Sequence, residues 1–206
     1  MSRTVWMILA ILAVAFALIT GLAVRRGLLG PETQTALIGG PFHLTDQTGK
    51  PTDQSVLKGK WNAVFFGYTY CPEACPTALL ALGQTEKLLG PKAADFQTVY
   101  ISVDPKRDTP KVIANYLSNT SFPRHVVGLT GDEAQVQAAA KAYKVYYQKV
   151  GDGAGDYQVN HSTITYLMSP NGGFVCVIPY GETPEQMAGQ IQAAMKQGPH
   201  ATSCRA

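Results

Sequence analysis

Residues 65–76 read Phe65-Phe66-Gly67-Tyr68-Thr69-Tyr70-Cys71-Pro72-Glu73-Ala74-Cys75-Pro76. An apolar run leads into a turn, and two thiols follow four positions apart, each with a proline after it. Residues 63–66 have the composition of a buried strand. Residues 78–89 have that of an amphipathic helix, with Leu79, Leu82 and Leu89 among the apolar positions. The thiols therefore fall on a strand-to-helix junction, where proline is tolerated because first-turn amides lack intrahelical partners. Free amides and the positive end of the helix dipole favour thiolate over thiol there. If the turn is helical, positions i and i+4 share a face and the two sulfurs converge. Converging soft thiolates can hold a soft metal such as Cu(I) or Zn(II), or close into a disulfide. The spacing is one residue wider than the C-x-x-C of thioredoxin-like oxidoreductases. The plainer alternative, two unrelated helix-start cysteines, is disfavoured by how junctions of this kind are used.

The chain has 206 residues and a formal charge of +3. That charge is too small to argue for nucleic acid, and no Lys/Arg run with interleaved aromatics exists. Four cysteines are too few for a disulfide scaffold. Between Arg3 and Arg25 lies an uncharged stretch, residues 4–24. At the helical rise it would extend roughly 31 Å, close to the hydrocarbon thickness of a bilayer. A cleaved signal peptide is the rival reading, but the small-residue triplets 13–15 and 15–17 fall inside the apolar run, which exceeds a usual h-region. Residues 1–24 are thus expected to be an uncleaved transmembrane anchor. Residues 25–40, with Gly27, Gly30, Pro31, Gly39 and Gly40, are expected to be a linker. Arg25 and Arg26 after the span give charge counting no support for exporting the rest of the chain. A vicinal dithiol nevertheless cycles most usefully where disulfides persist.

From Pro41 onward, strands alternate with helices. Strands are expected over 42–45, 63–66, 98–103 and 126–129. Thr109-Pro110 and Thr183-Pro184 each pair an N-cap with a first-turn proline, and Thr130 with Glu133 reads as a capping box. Residues 145–150 and 157–160 flank a Gly-rich turn and read as a hairpin. A second hairpin joins 163–168 to 174–178. The fold class is α/β: a thioredoxin-like central mixed β-sheet flanked by helices, with an extra β-hairpin insertion, over residues 41–197. Residues 198–206 read as a disordered tail.

The chain resembles the Sco/SenC family of membrane-anchored copper proteins. The pieces that carry the resemblance are 66–76, then Val103-Asp104-Pro105-Lys106-Arg107-Asp108-Thr109-Pro110, Gly128-Leu129-Thr130-Gly131 and Tyr157-Gln158-Val159-Asn160-His161-Ser162. Four motifs in the family's order cover roughly residues 40–195. The resemblance implies a thioredoxin-like fold, one N-terminal anchor, and a domain in the periplasm or, in a eukaryote, the mitochondrial intermembrane space. It also implies copper, as Cu(I) or Cu(II), bound by Cys71, Cys75 and the distal His161. The family's members help assemble the Cu(A) centre of cytochrome c oxidase subunit II. The implied partners are that subunit, a periplasmic copper donor and a thioredoxin-like reductant. Two positions depart from the family's pattern. Asn160 stands where Asp usually precedes the histidine, and Glu73 stands where Asp is common between the cysteines. Glu73 keeps the charge, whereas Asn160 removes a carboxylate beside the ligand.

Cys71 and Cys75 read both as metal ligands and as a redox pair, and the roles compete because an oxidised pair cannot bind metal. The alternatives to copper delivery are a membrane-tethered thiol–disulfide oxidoreductase acting on the Cu(A)-site cysteines and a redox sensor using the same pair. His43, by strand alternation, faces solvent, and His125 and His200 read as bystanders. Cys176, mid-strand, reads as a small buried hydrophobe, and Cys204 as an isolated tail thiol. Asp108 reads as a helix-capping residue. Asp104 is a candidate for docking a partner or tuning the thiols, and Tyr68 and Tyr70, which flank the site, for shielding it or presenting a docking surface.

Overall fold

A computed structural model of the chain describes residues 38–151 and 157–204, and among the first 37 only Arg3, Val5–Met7, Ala10, Leu12–Val14, Phe16 and Gly21, all helical. The chain divides into two units, Met1–Ala36 and Leu37–Ala206. Among the described residues no helix is long and apolar enough to cross a membrane. Most of the anchor expected over 1–24 and most of the linker over 25–40 lie outside the described residues.

In the second unit, β1 (His43–Asp46) and β2 (Pro51–Asp53) form a hairpin. Asp46 closes its turn, with Oδ1 accepting from the Thr48 amide at 2.8 Å and the Lys50 amide at 3.0 Å. The wholly buried strand β3 (Trp61–Gly67) runs into helix α1 (Ala74–Leu88), and β4 (Phe96–Ser102) follows. Helix α2 (Pro110–Leu117), β5 (Val126–Thr130) and α3 (Glu133–Ala142) complete the alternating part. Then come the hairpin β6 (Tyr147–Val150) and β7 (Gln158–His161), strands β8 (Thr165–Met168) and β9 (Phe174–Ile178), and helix α4 (Pro184–Gln197).

The main sheet has the order β2-β1-β5-β4-β3-β8-β9, with β3, β4 and β5 parallel and the outer pairings antiparallel. β6 and β7 form a separate two-stranded sheet. This is the thioredoxin-like mixed α/β sheet with an inserted hairpin that the element pattern implies. The larger buried cluster joins Phe66, Tyr100, Ile101, Ile113, Leu129, Val136 and Tyr143. A second joins Trp61, Leu82, Leu167, Met187 and Ile191, between α1 and α4 at the β9 end of the sheet.

Thr109 caps α2, accepting from the Val112 amide at 3.4 Å, and Thr183 caps α4 through a reciprocal box with Gln186. The box that opens α3 differs from expectation. It pairs Asp132 with Gln135, because Thr130 is still part of β5 and the helical backbone begins at Glu133.

The expected tail is a packed segment over 198–204. Ala201 and Cys204 are buried in the second cluster, and Cys204 is disulfide-bonded to Cys176 of β9. Neither cysteine is therefore the free thiol that its local sequence suggests. The link joins positions 28 apart, and loop-closure entropy of that size corresponds to about 3–4 kcal/mol. Cys204→Ser is accordingly expected to lower unfolding free energy by about that amount. Denaturant melts of the full chain check it, and the accessible-thiol reactivity of Cys71 should stay unchanged.

Candidate metal centre

Sheet pairing brings the site together. β8 runs antiparallel to β3, with Thr165 opposite Phe65. The chain just before Thr165 therefore lies beside the chain just after Phe65. His161 is four positions before the first and Cys71 six after the second, so residues far apart in sequence meet at one end of the sheet. The parallel strand β4 delivers residues 103–108 to the same end, where open α/β sheets usually carry their sites. One donor atom each from Cys71, Cys75 and His161 lies within 4.8 Å of the others.

Helix α1 starts at Ala74, earlier than its apolar pattern alone suggests. Cys75 is thus inside its first turn, while Cys71 precedes the helix in an irregular bend. The convergence does not come from a shared helical face. It comes from capping: Glu73, the N-cap residue, makes no side-chain cap bond, and the Cys75 amide instead donates to Cys71 Sγ at 3.3 Å. A sulfur placed on first-turn amides is held as thiolate by the same dipole that would favour a carboxylate there. Pro76 removes one competing donor at no cost.

Cys75 is fully buried and Cys71 partly exposed. Gly67 makes room for the inner sulfur, since a Cβ at that position would sit 2.8 Å from Cys75 Sγ. The hydrogen bond from Cys75 is the largest influence on Cys71. Helped by His161 and the amides of Cys75 and Glu73, it outweighs partial burial and lowers the Cys71 thiol to about 4. The same bond, followed by burial and the charge of Cys71, pushes the Cys75 thiol far up. The resting pair is one thiolate and one thiol.

His161 Nδ1 lies 2.9 Å from the Ser162 carbonyl oxygen. A carbonyl only accepts, so Nδ1 carries a proton, and in the neutral ring Nε2 is the nitrogen that offers a lone pair. Nε2 faces Cys75 Sγ at 3.4 Å, placed to accept its thiol proton. The rings of Phe65 and Tyr68 meet the imidazole edge-on at 6.2 and 5.7 Å and hold its plane. Two sulfurs and an oriented imidazole nitrogen form a donor set suited to Cu(I), Zn(II) and, through the nitrogen, Cu(II).

A description of SCO1/SenC marks the family model that matches residues 30–196. The chain belongs to the SCO1/SenC family. The mitochondrial SCO1 homolog 1 of Arabidopsis thaliana is 40% identical over 147 residues, 71% of this chain and 43% of that protein. The copper-bound structure of Bradyrhizobium japonicum ScoI superposes with a TM-score of 0.69 at 44% identity, covering 75% of this chain and 98% of that one. BsSco, described as a member of the Sco family of cytochrome c oxidase assembly proteins and as carrying a disulfide switch, superposes with a TM-score of 0.59 at 27% identity. That match covers 78% of this chain and 94% of that one.

In this SCO1/SenC chain the supporting residues differ from the local reading. Asp108 does not cap α2. It is fully buried and holds the loop before Cys71, accepting from the Thr69 amide at 3.0 Å, Thr69 Oγ1 at 2.6 Å and Ser102 Oγ at 2.6 Å. Asp104 is buried as well, paired with Arg107 and accepting from the Tyr157 hydroxyl at 2.6 Å. His125 donates from Nδ1 to Glu86 of α1 at 2.8 Å, a structural pair away from the cysteines. His43 and His200 are exposed. Asn160, in the hairpin, is exposed and opposes Gln148.

The thiolate asymmetry has a measurable consequence. Alkylation of the reduced protein by iodoacetamide should label Cys71 alone. Its rate should stay nearly level from pH 8 downward and fall only as the pH approaches about 4, where Cys71 takes up its proton. A rate that falls below pH 9, as for an ordinary thiol, contradicts the arrangement.

Proposed function

We propose that this domain binds one copper ion through Cys71, Cys75 and His161 and delivers it during cytochrome c oxidase assembly, with the Cu(A) centre of subunit II as recipient. The observation that carries the reading is the convergence of two cysteine sulfurs and an imidazole whose Nδ1 is engaged by the Ser162 carbonyl and whose Nε2 faces the sulfurs. The copper-bound relative at 44% identity and the oxidase-assembly description of BsSco support it. Copper is the cargo. Two thiolates suit Cu(I), the imidazole adds a ligand that Cu(II) needs, and a low coordination number leaves room for an incoming ligand to begin the exchange. Cys75 must release its proton to solvent when metal enters, because His161 Nε2, the imidazole donor, cannot hold a proton and a metal ion together.

The partly exposed, low-pKa Cys71 beside the buried Cys75 also favours a second reading, a thiol–disulfide reductase acting on the Cu(A)-site cysteines. There Cys71 Sγ attacks a substrate disulfide, forming a mixed disulfide and releasing one substrate thiolate. Cys75, deprotonated, then attacks Cys71 Sγ and releases the second. The domain is left as the Cys71–Cys75 disulfide, and two electrons from a thioredoxin-like dithiol restore it.

The architecture we assign is a transmembrane anchor over residues 1–24, a linker over 25–40 and the copper-binding domain from 41 through 197. The uncharged run over 4–24 supports the anchor. The Cys176–Cys204 disulfide supports an oxidising compartment for the domain, the periplasm or its mitochondrial counterpart.

Complementation of a deletion strain separates the two readings. Loss of oxidase assembly with His161→Ala, restored by added copper, is the result expected for copper delivery. Full assembly with His161→Ala but none with Cys71→Ser would overturn delivery and leave the reductase.

A further inference from the structure

His161 is carried by a hairpin that belongs to a separate two-stranded sheet. Main-sheet pairing therefore does not by itself set its distance from the cysteines. Val159 anchors the hairpin in the main buried cluster and Lys149 pairs with Glu133, and one further side chain, Arg107, joins the hairpin to the cysteine loop. Arg107 pairs with buried Asp104. Its Nη1 donates to the Tyr157 carbonyl at 3.0 Å, and its guanidinium lies 3.7 Å from the centre of the Tyr157 ring. Tyr157 immediately precedes β7, four positions before His161, and its hydroxyl donates to Asp104 at 2.6 Å. The guanidinium also lies 4.7 Å from the centre of the Tyr70 ring and 5.7 Å from that of the Tyr68 ring, on the loop that leads into Cys71. Tyr68 closes the ring of contacts, since its hydroxyl donates to Gln158 at 2.8 Å. Arg107 thus touches both segments that carry the donor groups, from a loop anchored on β4.

Resting on the copper reading above, we infer that Arg107, clamped by Asp104 and Tyr157, is a positioning residue that holds the His161 hairpin at ligating distance from Cys71 and Cys75, and so sets whether copper has two ligands or three. Two thiolates alone hold Cu(I) in a linear arrangement. Cu(II) needs the nitrogen. Loosening the clamp therefore weakens Cu(II) binding selectively, whereas damage to the cysteine junction weakens both oxidation states. Lysine cannot replace the arginine fully, because the stack and the fork need a planar guanidinium.

The test uses the full chain with Arg107→Gln, Arg107→Lys and Tyr157→Phe, reduced and then titrated with Cu(I) or Cu(II) against competing chelators. Groups that orient metal ligands are worth about 10- to 100-fold in metal affinity. Arg107→Gln should lose about that factor for Cu(II) while its Cu(I) affinity changes less than about threefold. Tyr157→Phe, which keeps the stack and loses one hydrogen bond, should move the same way by less, and Arg107→Lys should fall between. The Cu(II) electron paramagnetic resonance spectrum should lose nitrogen coupling in the same order. In the metal-free protein, amide exchange over residues 158–161 should accelerate while β3 and β4 stay protected. Equal loss of Cu(I) and Cu(II), or unchanged Cu(II) binding with unchanged exchange, overturns the clamp. If the unaltered protein takes up no copper, the copper reading fails, and the exchange experiment still decides whether Arg107 seats the hairpin.

Discussion

Cys75→Ser is expected to end stoichiometric copper uptake. Its sulfur is the one buried donor of the three, seated against Gly67 and facing the imidazole. Serine offers a hard, protonated oxygen in its place, a poor partner for Cu(I). Four-ligand structural zinc sites bind with about 10–16 kcal/mol, roughly 2.5–4 kcal/mol per ligand. Loss of one thiolate should then cost roughly 100- to 1,000-fold in Cu(I) affinity. The fold should tolerate the change, because serine is no larger and the amide of residue 75 still donates to Cys71. Competition against a chromophoric Cu(I) chelator, with unfolding measured in parallel, reads both. Affinity within threefold of the unaltered protein would remove Cys75 from the ligand set.

Asp108→Ala should be the most damaging change outside the ligands. The carboxylate satisfies the Thr69 amide and two hydroxyls, and its own backbone carbonyl accepts from Thr130 Oγ1 at 2.8 Å. Alanine strands the Thr69 amide and the hydroxyls of Thr69 and Ser102 while keeping the Thr130 bond, at about 1–3 kcal/mol for each buried group left unpaired. A loss of roughly 3 kcal/mol and a loosened Cys71 loop are expected. Asp108→Asn should cost far less, since the amide oxygen can take the two donors on one side and the Thr69 hydroxyl can rotate to accept. The pH dependence is a second check. Burial raises the Asp108 carboxyl above its usual range, despite the hydrogen bonds from Ser102 and Thr69. The folded state then holds this proton more tightly than the unfolded chain. The aspartate's contribution falls as pH rises from the ordinary carboxyl value through the raised one. Stability of the unaltered protein relative to Asp108→Asn should therefore be highest in acid and decline across that window. An increase with pH would contradict the assignment.

Local chemistry made much of this molecule readable. The Thr-Pro pairs at 109–110 and 183–184 announce α2 and α4, and the structure starts both helices at the proline. The alternation around the Gly-rich turn announces the β6–β7 hairpin. What resisted reading depends on distant partners. Nothing near Asp108 tells that its side chain turns away from α2, because Thr69 lies 39 positions off. Cys176 sits among apolar strand residues and Cys204 in a short polar tail, and only the return of the chain after α4 brings them to a Cα separation of 5.9 Å. The dithiol junction was recognisable as reactive, but its asymmetry was not. That asymmetry arises because α1 begins at Ala74, so one cysteine is helical and buried while the other caps. A signal for Arg107 did exist, since an arginine in a loop between two aspartates, with tyrosines near the cysteines, has few ways to bury its stem. The stack on Tyr157 could only be found in three dimensions.

The central claim is that copper sits on two sulfurs and one nitrogen supplied by Cys71, Cys75 and His161. X-ray absorption of the Cu(I)-loaded full chain, beside His161→Ala, tests it most directly. The expected result is two sulfur scatterers and one nitrogen scatterer with imidazole outer-shell features, and sulfur alone in the variant. Sulfur-only coordination in the unaltered protein, or a histidine nitrogen that survives in His161→Ala, would contradict the account.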